Sequence, residues 1–190
     1  TGYHGIGLWT WPSGTTSPSG NLITKNILNN TYHPIALDYF YMGDQGIDNN
    51  ITFNTITNAG GRGITVWSTY KNFTIHSNQI TNASIGIWLY DDGYGGLSNG
   101  LIYNNTVTEI KYNGIQVATS WGSTFTIKNI HINNNYIHTT EGNGIYARDV
   151  DEGYIANNTI FGNLSHGSQG AGVVGYFSPE LIIINNTISS

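Results

Sequence analysis

The sequence predicts an all-β domain built as a β-solenoid, in which the chain winds round one axis and equivalent residues stack from turn to turn. The first observation is an asparagine that recurs with isoleucine three positions before it and an aliphatic residue two positions after it. The second is a frame of alternating apolar residues that follows each asparagine strand but the last. The third is the spacing between the asparagines, 28, 24, 27, 30, 23 and 28 residues, which is typical of solenoid repeats.

The repeated asparagine marks the end of one strand in each turn. It occurs at Asn26, Asn54, Asn78, Asn105, Asn135, Asn158 and Asn186. The isoleucine before it is Ile23, Ile51, Ile75, Ile102, Ile132, Ile155 or Ile183. We expect each asparagine to point inward at a bend and to bond both its own turn and the asparagine of the next turn. Such a ladder would pair amides that would otherwise be buried without partners.

A second strand of each turn carries the apolar frame, which usually begins with glycine. The frames are residues 5–8, 34–37, 63–66, 86–89, 114–117, 144–147 and 172–175. Their second and fourth residues are expected to point inward, because strict alternation is the strand period. The variable segments between frames, including 38–50, 90–100 and 118–129, are expected to be loops, which is where solenoids place specificity.

Composition excludes several classes of function. The chain has 190 residues, a net charge of −5 and only six basic residues, so it lacks the clustered lysine and arginine that bind nucleic acid. It has no cysteine for disulfides or thiolate metal sites, and no apolar run long enough to span a membrane. We therefore expect one domain over residues 1–190, with no nucleic-acid partner and no membrane insertion.

The combined repeat, Ile-x-x-Asn-x-Ile followed by Gly-Ile-x-Leu, resembles that of the pectate-lyase-like right-handed parallel β-helix proteins from Gly5 to Ile188. The resemblance implies a single right-handed parallel β-helix (β-solenoid) of about seven coils. That family includes polysaccharide lyases, hydrolases, epimerases, phage tailspikes, adhesins and structural proteins. The resemblance therefore implies the fold and leaves the function open.

The two ends of the sequence predict an assembly. Neither end shows a polar capping turn, so open, uncapped ends are expected. The first frame, with Ile6 and Leu8, lacks its asparagine strand, and the last asparagine strand, with Ile183 and Ile188, lacks its frame. Since these halves are complementary, we expect a structural protein that stacks on itself head to tail into a filament. A repeat within a longer solenoid and a trimmed excerpt are the other two interpretations.

The outward positions of the frame strands predict an aromatic stripe along the axis. Its members are Trp9, Trp67, Trp88, Tyr90, Tyr146 and Tyr176. Sugar rings stack on such side chains, so the alternative function is a carbohydrate-binding or polysaccharide-active domain. Loops, attached glycans or a neighbouring copy covering these rings would be the structural interpretation.

A charged corner supplies candidate catalytic residues. Under the lyase alternative, which rests on the resemblance, Arg148 would be the base, and Asp91, Asp92, Asp149 and Asp151 would hold Ca²⁺. A solvated corner with a local ion pair is the plainer interpretation, and the Asp-Pro-His tripeptide of mannuronan epimerases is absent. The six histidines show no metal-ligand spacing and are expected on the surface, so no metal site and otherwise no cofactor are predicted.

Eight Asn-x-Ser/Thr sequons predict N-glycosylation. They begin at Asn29, Asn50, Asn72, Asn82, Asn104, Asn157, Asn163 and Asn185. Three of them immediately precede a repeated asparagine, where an outward side chain beside an inward one would be free to carry a glycan. Together with the low charge content, this pattern predicts an extracellular or cell-surface location, with covalent or bound glycans as partners.

Overall fold

The computed structural model describes residues 4–10, 18–39, 46–93, 96–121, 123, 127–162 and 170–190. Within these residues every regular element is a strand, and all the strand pairs are parallel. This part of the chain forms no helix that is long and apolar enough to cross a membrane. The predicted all-β solenoid is therefore confirmed.

The strands form two sheets that wind together along the axis. The twelve-stranded sheet contains β1 (His4–Thr10), β3 (Ile27–Asn29), β4 (His33–Tyr39), β7 (Thr55–Trp67), β10 (Gln79–Asp91), β12 (Thr106–Ile110), β13 (Ile115–Thr119), β15 (Tyr136–Thr139), β16 (Ile145–Arg148), β19 (Thr159–Gly162), β20 (Val173–Tyr176) and β22 (Thr187–Ser189). The ten-stranded sheet contains β2 (Leu22–Thr24), β5 (Gly46–Ile47), β6 (Asn50–Thr52), β8 (Tyr70–Lys71), β9 (Thr74–His76), β11 (Ser98–Tyr103), β14 (Ile127–Asn133), β17 (Val150–Asp151), β18 (Tyr154–Ala156) and β21 (Ile182–Ile184).

Each turn has three faces, one more than the two strands that the sequence predicts. The anchor face consists of the strands that end near the repeated asparagine, which are β2, β6, β9, β11, β14, β18 and β21. The middle face consists of the strands that follow it, which are β3, β12, β15, β19, β22 and the first halves of β7 and β10. The groove face carries the frames, in β1, β4, β13, β16, β20 and the second halves of β7 and β10.

The asparagine ladder is present along the whole axis. Six side-chain hydrogen bonds of 2.9–3.0 Å link the seven repeated asparagines, each Nδ2 donating to the Oδ1 of the next turn. In one rung, Asn105 Nδ2 also donates to the carbonyls of Ile75 and Tyr103, at 2.9 and 3.1 Å. The Asn105 backbone N–H donates to Asn135 Oδ1 at 3.0 Å. The ladder therefore pairs backbone and side-chain groups that the bend would otherwise bury alone.

The residue before each ladder asparagine makes the bend. All seven residues at this position have a positive φ of 54–57°, and they are Lys25, Phe53, Ser77, Asn104, Asn134, Asn157 and Asn185. Asparagine tolerates this left-handed conformation better than most residues. This backbone requirement explains why asparagine pairs recur, and with them the overlapping sequons.

The interior is filled by stacked aliphatic columns. In the turn around the Asn105 rung, Ile102, Val107, Ile115 and Val117 are all fully buried, as the alternation predicts. The frame glycine allows this close packing, because a Cβ at Gly114 would lie 2.2 Å from Ile137 Cγ2 and 2.7 Å from the Gly144 carbonyl oxygen. Glycine is used here for close approach between turns rather than for an unusual φ.

Burial decreases toward both ends of the coil. Ile6 and Leu8 are half-buried and pack against the core, whereas Ile183 and Ile188 are each 47% exposed. Ile155, which occupies the equivalent position to Ile183 one turn earlier, is fully buried. The last described coil therefore presents an apolar layer.

Candidate functional site

A groove lies on the groove face near the first described turns, where three columns of outward residues meet. It has a volume of about 500 Å³ and is lined by His4, Trp9, His33, Ala36, Asp38, Arg62, Thr65 and Trp67. The register of the strands places these residues in adjacent columns, one residue per turn in each. Stacking therefore creates the groove from residues that are far apart in sequence.

The first column consists of the residues that immediately precede the frames. His4 pairs in register with His33, and their rings lie 5.4 Å apart between centroids. In the following turn the Arg62 backbone N–H donates to His33 Nδ1 at 3.4 Å. Two imidazoles and a guanidinium thus line one wall of the groove.

A second side of the groove is aromatic. The Trp9 ring meets the His4 ring edge-on at 4.6 Å, folded back over Gly7. A Cβ at Gly7 would lie 2.1 Å from Trp9 Nε1, so glycine at this position gives the indole its place. Trp67 lies further along the same column of the groove face.

A cluster of three rings continues the aromatic wall beyond the groove. Trp67 packs edge-on against Trp88 at 5.3 Å and against Tyr90 at 5.5 Å, while Trp88 and Tyr90 stack at 4.6 Å. The Arg62 guanidinium lies 3.4 Å from the centre of the Trp88 ring, a cation–π contact. Trp88 is consequently only 6% exposed, so it supports the wall from below rather than forming part of an exposed stripe.

The groove contains one buried carboxylate. Asp38 is 8% exposed, and its negative charge partly offsets the effect of burial on the His4 imidazole. Burial lowers the pKa of His4 and outweighs this attraction to Asp38. Burial first, and then the charge of Asp38, raise the pKa of the Tyr70 hydroxyl beneath the site.

His33 is held in its neutral form. Burial lowers its pKa to about 4, and the neighbouring positive charges of Arg62 and His4 act in the same direction. The expectation that the histidines are surface residues is therefore wrong for His33, which is 6% exposed. A neutral imidazole that donates, a carboxylate that accepts and aromatic rings together can hydrogen-bond hydroxyl groups and stack on an apolar ring face.

Polar atoms lie buried behind the groove surface. Thr65 Oγ1 and Trp67 Nε1 are among those that make no hydrogen bond within the described part of the chain. Buried polar groups normally have partners, so these two are an exception to the packing of the coil.

The sequence could have indicated this cluster. Aligning the residues that precede the frames puts His4, His33 and Arg62 in one column, with Asp38 two columns away. Histidine and arginine, however, differ in type from turn to turn, so no repeated motif marks them.

The predicted charged corner is an internally paired structure. Arg148 is 7% exposed, its Nε lies 3.4 Å from Asp149 Oδ2, and its Nη2 donates to the Thr119 carbonyl. Thr119 pairs in register with Asp91, and its hydroxyl donates to Asp149. Thr119 therefore lies between Asp91 and Asp149 along the axis. These contacts favour the plainer interpretation of an ion pair at a corner.

The remaining carboxylates of the corner point to other partners. Asp91 and Asp92 both accept from the Ser68 hydroxyl, and Asp151 lies 3.7 Å from Lys128 Nζ. In the described ranges no group of three or more histidine, aspartate or glutamate side chains is placed to hold a metal ion. The four aspartates proposed for Ca²⁺ are not brought into one cluster.

The other candidate stripe residues follow the predicted columns. Tyr146 stacks in register with Gln116 and, through it, with Trp88. Tyr176 stacks on Arg148 and is 43% exposed. The predicted aromatic residues therefore lie in two adjacent columns, which are interrupted by Asp38, Ala118, Arg148 and Gln116.

The sequon asparagines that the structure describes are all exposed. These are Asn29, Asn50, Asn72, Asn82, Asn104, Asn157 and Asn185, while Asn163 lies outside the described residues. Asn82 Nδ2, the atom that a glycan would modify, donates to Asn58 Oδ1 at 2.8 Å. Glycosylation at Asn82 would have to share or break this bond, whereas no such bond is made by the Asn104 side chain within the described residues.

Comparison with known proteins places the fold. A model of the family described as right handed beta helix region matches residues 66–190. No curated protein matches the sequence.

Solved structures of the periplasmic alginate epimerase AlgG are similar to this chain. The unmutated enzyme is 14% identical, with a TM-score of 0.61 over 98% of this chain and 48% of the epimerase. A double mutant and a single mutant of that enzyme give TM-scores of 0.59 and 0.57, at 14% and 15% identity, over 98% of this chain and 48% and 46% of theirs. The chain thus spans about half the length of the epimerase, and the similarity shows the fold.

Proposed function

Because the chain belongs to the right-handed β-helix family, we propose that it binds a polysaccharide, with one sugar residue held in the groove between His4 and Trp67. The groove face continues along the axis beyond the groove, so the rest of a polysaccharide can lie over neighbouring turns. The fold neighbour acts on alginate, a polysaccharide, which supports this choice over an end-to-end structural role.

The observation that carries the proposal is the combination of aromatic rings with a carboxylate in one groove. Trp9 and Trp67 supply ring faces on which a sugar can stack, and Asp38 supplies a carboxylate that can accept from a sugar hydroxyl. Ligand sites typically combine apolar walls with a few placed polar groups, and this groove has that composition.

Each polar residue then has a defined role toward the sugar. Asp38 can accept hydrogen bonds from hydroxyl groups, whereas neutral His33, whose Nδ1 accepts from the Arg62 N–H, can donate from Nε2 to a hydroxyl oxygen. Arg62, stacked on Trp88, makes this end of the groove favourable for a carboxylate-bearing sugar. Asp38 lies in the same groove and would repel such a carboxylate, so uronate and neutral polymers are both candidate ligands.

A binding experiment tests this function. The intrinsic tryptophan fluorescence and the heat of binding would be measured with alginate, polygalacturonate and a soluble β-1,4-glucan. Trp67→Ala and Asp38→Asn should each weaken binding at least tenfold, because each removes a direct sugar contact.

Tyr136→Ala is the matched control, since Tyr136 is an exposed aromatic residue of the middle face. It should leave binding unchanged, and thermal unfolding should confirm that the variants are folded. If none of the three polymers binds, or if Tyr136→Ala weakens binding as much as Trp67→Ala, the proposed site is wrong.

A second candidate function is stacking of coils end to end. It is favoured by the apolar layer of the last described coil, where Ile183, Ile184 and Ile188 are 43–47% exposed. A further coil, from a longer chain or from a second copy, would bury this layer. Sedimentation velocity over a hundredfold concentration range tests whether copies of the chain stack on one another. If they do, the wild-type chain should associate as its concentration rises, and Ile183→Asn should weaken that association. A wild-type chain that stays monomeric at every concentration would exclude stacking between copies.

We also propose that the chain is N-glycosylated and lies outside the cell or at its surface, whichever of the two functions it has. The periplasmic location of the epimerase neighbour is compatible with such a location. Expression in an N-glycosylating host followed by intact-mass measurement tests the sequons. A mass equal to 20.7 kDa would mean that none is occupied.

A further inference from the structure

The groove face carries a second group of exposed aromatic rings several turns away from the groove. Trp121 is 76% exposed, Tyr176 is 43% exposed and Phe177 is 67% exposed. Trp121 and Tyr176 meet edge-on at 6.3 Å, and Tyr176 and Phe177 lie 4.2 Å apart. We call these three residues the second platform.

The second platform belongs to the same column as the aromatic wall of the groove. Tyr90 pairs with Trp67 and with Ala118, Ala118 pairs with Arg148, and Arg148 pairs with Tyr176. Four strand spacings of ~4.8 Å therefore separate Trp67 from Tyr176, which is about 19 Å along the axis. A straight ligand lying along the columns would pass over both groups of rings.

Side chains of adjacent turns fill the surface between them. The column position between Tyr90 and Arg148 is occupied by Ala118, which is 1% exposed, so neighbouring side chains cover it. The adjacent column presents Gln116 and half-buried Tyr146 there, a hydrogen-bonding amide and a ring. The surface between the groove and the second platform thus offers an amide and a ring to a sugar chain that passes over it.

Arg148 holds the second platform in place. Its guanidinium lies 4.4 Å from the centre of the Trp121 ring and is tied on its other side to Asp149 and to the Thr119 carbonyl. The corner that the sequence marks as a catalytic candidate therefore acts, in this structure, as a support for an exposed tryptophan. Exposed rings fixed by such contacts lose little conformational entropy when a ligand stacks on them.

We propose that Trp121 and Tyr176 form a second sugar-binding subsite, so that the chain binds one polysaccharide at two platforms about 19 Å apart. This proposal rests on the proposed function of the groove. An extended pyranose chain advances by nearly one strand spacing per residue, so a ligand needs about five residues or more to reach both platforms. The second contact is then intramolecular and raises the affinity without any change at the groove.

The test is a length series. Affinities would be measured for oligomers of alginate, polygalacturonate and β-1,4-glucan of two to eight residues, with the wild-type chain, Trp121→Ala and Tyr176→Ala. In the wild-type chain, affinity should rise at least tenfold between oligomers of three and six residues. Both variants should lose that gain while binding oligomers of two or three residues as tightly as the wild type does.

The outcomes separate the two proposals. If oligomers bind and Trp67→Ala abolishes binding, but neither length nor Trp121→Ala matters, the second subsite is wrong and the groove stands. If no oligomer of any length binds, the proposed function fails and the second subsite fails with it. Tyr136→Ala, with an exposed ring on the middle face, controls for nonspecific stacking and should retain the gain with length.

Discussion

The interior of the coil and its groove face use the same stacking in opposite ways. In the interior, one asparagine column keeps a single residue type over seven turns, with each rung bonded to the next at 2.9–3.0 Å. On the groove face, the column that begins with Trp9 continues with aspartate, tryptophan, tyrosine, alanine, arginine and tyrosine. Both columns obey the same register, yet only the first repeats.

This difference shows where stability and specificity lie in a solenoid. A repeated inward residue makes the same bonds in every turn, so its contribution accumulates along the axis. An outward residue that changes from turn to turn adds little to the fold but makes each part of the surface chemically distinct. The comparison predicts large stability losses from single interior substitutions and small ones from outward substitutions.

The largest effect is expected from Asn105→Ala. The substitution removes a buried side chain that accepts from the Asn78 backbone N–H and Nδ2 and donates to the carbonyls of Ile75 and Tyr103 and to Asn135 Oδ1. We expect a loss of about 3–5 kcal/mol in the free energy of unfolding, measured by urea denaturation. A loss below 1 kcal/mol would mean that the ladder does not stabilise the interior.

Gly114→Ala should come next. The new methyl group would meet Ile137 at 2.2 Å and the backbone carbonyl of Gly144 at 2.7 Å, so adjacent turns would have to separate. We expect a loss of about 2–3 kcal/mol, again from urea denaturation. Gly93→Ala is a useful contrast, because at that loop position a Cβ meets only hydroxyl oxygens at 3.6 Å or more and the strain is confined to a positive φ of 97°.

Most of the fold follows from the sequence because repetition exposes it. The isoleucine before each ladder asparagine and the frame after it mark the inward columns, and the structure buries both sets except near the ends. The separate middle face was missed because only one of its positions per turn, such as Val107, repeats as an apolar residue. The positive φ before each asparagine also has no single-residue signature, since lysine, phenylalanine and serine occur there besides asparagine.

The site follows from the sequence only in part, because its residues do not repeat from turn to turn. The aromatic positions are predictable from the frame, but the direction of each ring is not. Trp88 lies under Arg62, and Trp9 folds over Gly7 toward His4. These contacts depend on the neighbouring turn, so pattern alone cannot distinguish an exposed binding ring from a buried support.

His33 sharpens the comparison, because it is an outward residue that is buried like an interior one. Its pKa is lowered to about 4 from the ordinary 6.5, so below pH 6.5 the unfolded chain binds a proton that the folded chain does not. The free energy of unfolding is therefore unaffected by His33 above pH 6.5 and decreases as the pH falls from 6.5 toward 4. The expected loss is about 2–3 kcal/mol, measured as urea unfolding free energy against pH.

His33→Gln separates this contribution from that of other groups. His4 and His76 also have lowered pKa values and will add to the acid sensitivity of both proteins. The variant should therefore show a shallower decline between pH 6.5 and pH 4 than the wild type. Superimposable profiles would show that His33 titrates as an exposed histidine does.

The smallest effect is expected from the exposed ladder of the outer corner, where Asn99 Nδ2 donates to Asn72 Oδ1 at 3.0 Å and Asn129 Nδ2 donates to Asn99 Oδ1 at 2.8 Å. Asn99→Gly removes both bonds but keeps the positive φ of 54° without strain, and water can replace the lost partners. We expect a loss of about 0.5 kcal/mol or less in urea denaturation, against several kcal/mol for Asn105→Gly, because buried groups left unpaired bear the full cost of desolvation. Similar losses in the two variants would show that the amide ladders stabilise the coil equally whether they face water or the core.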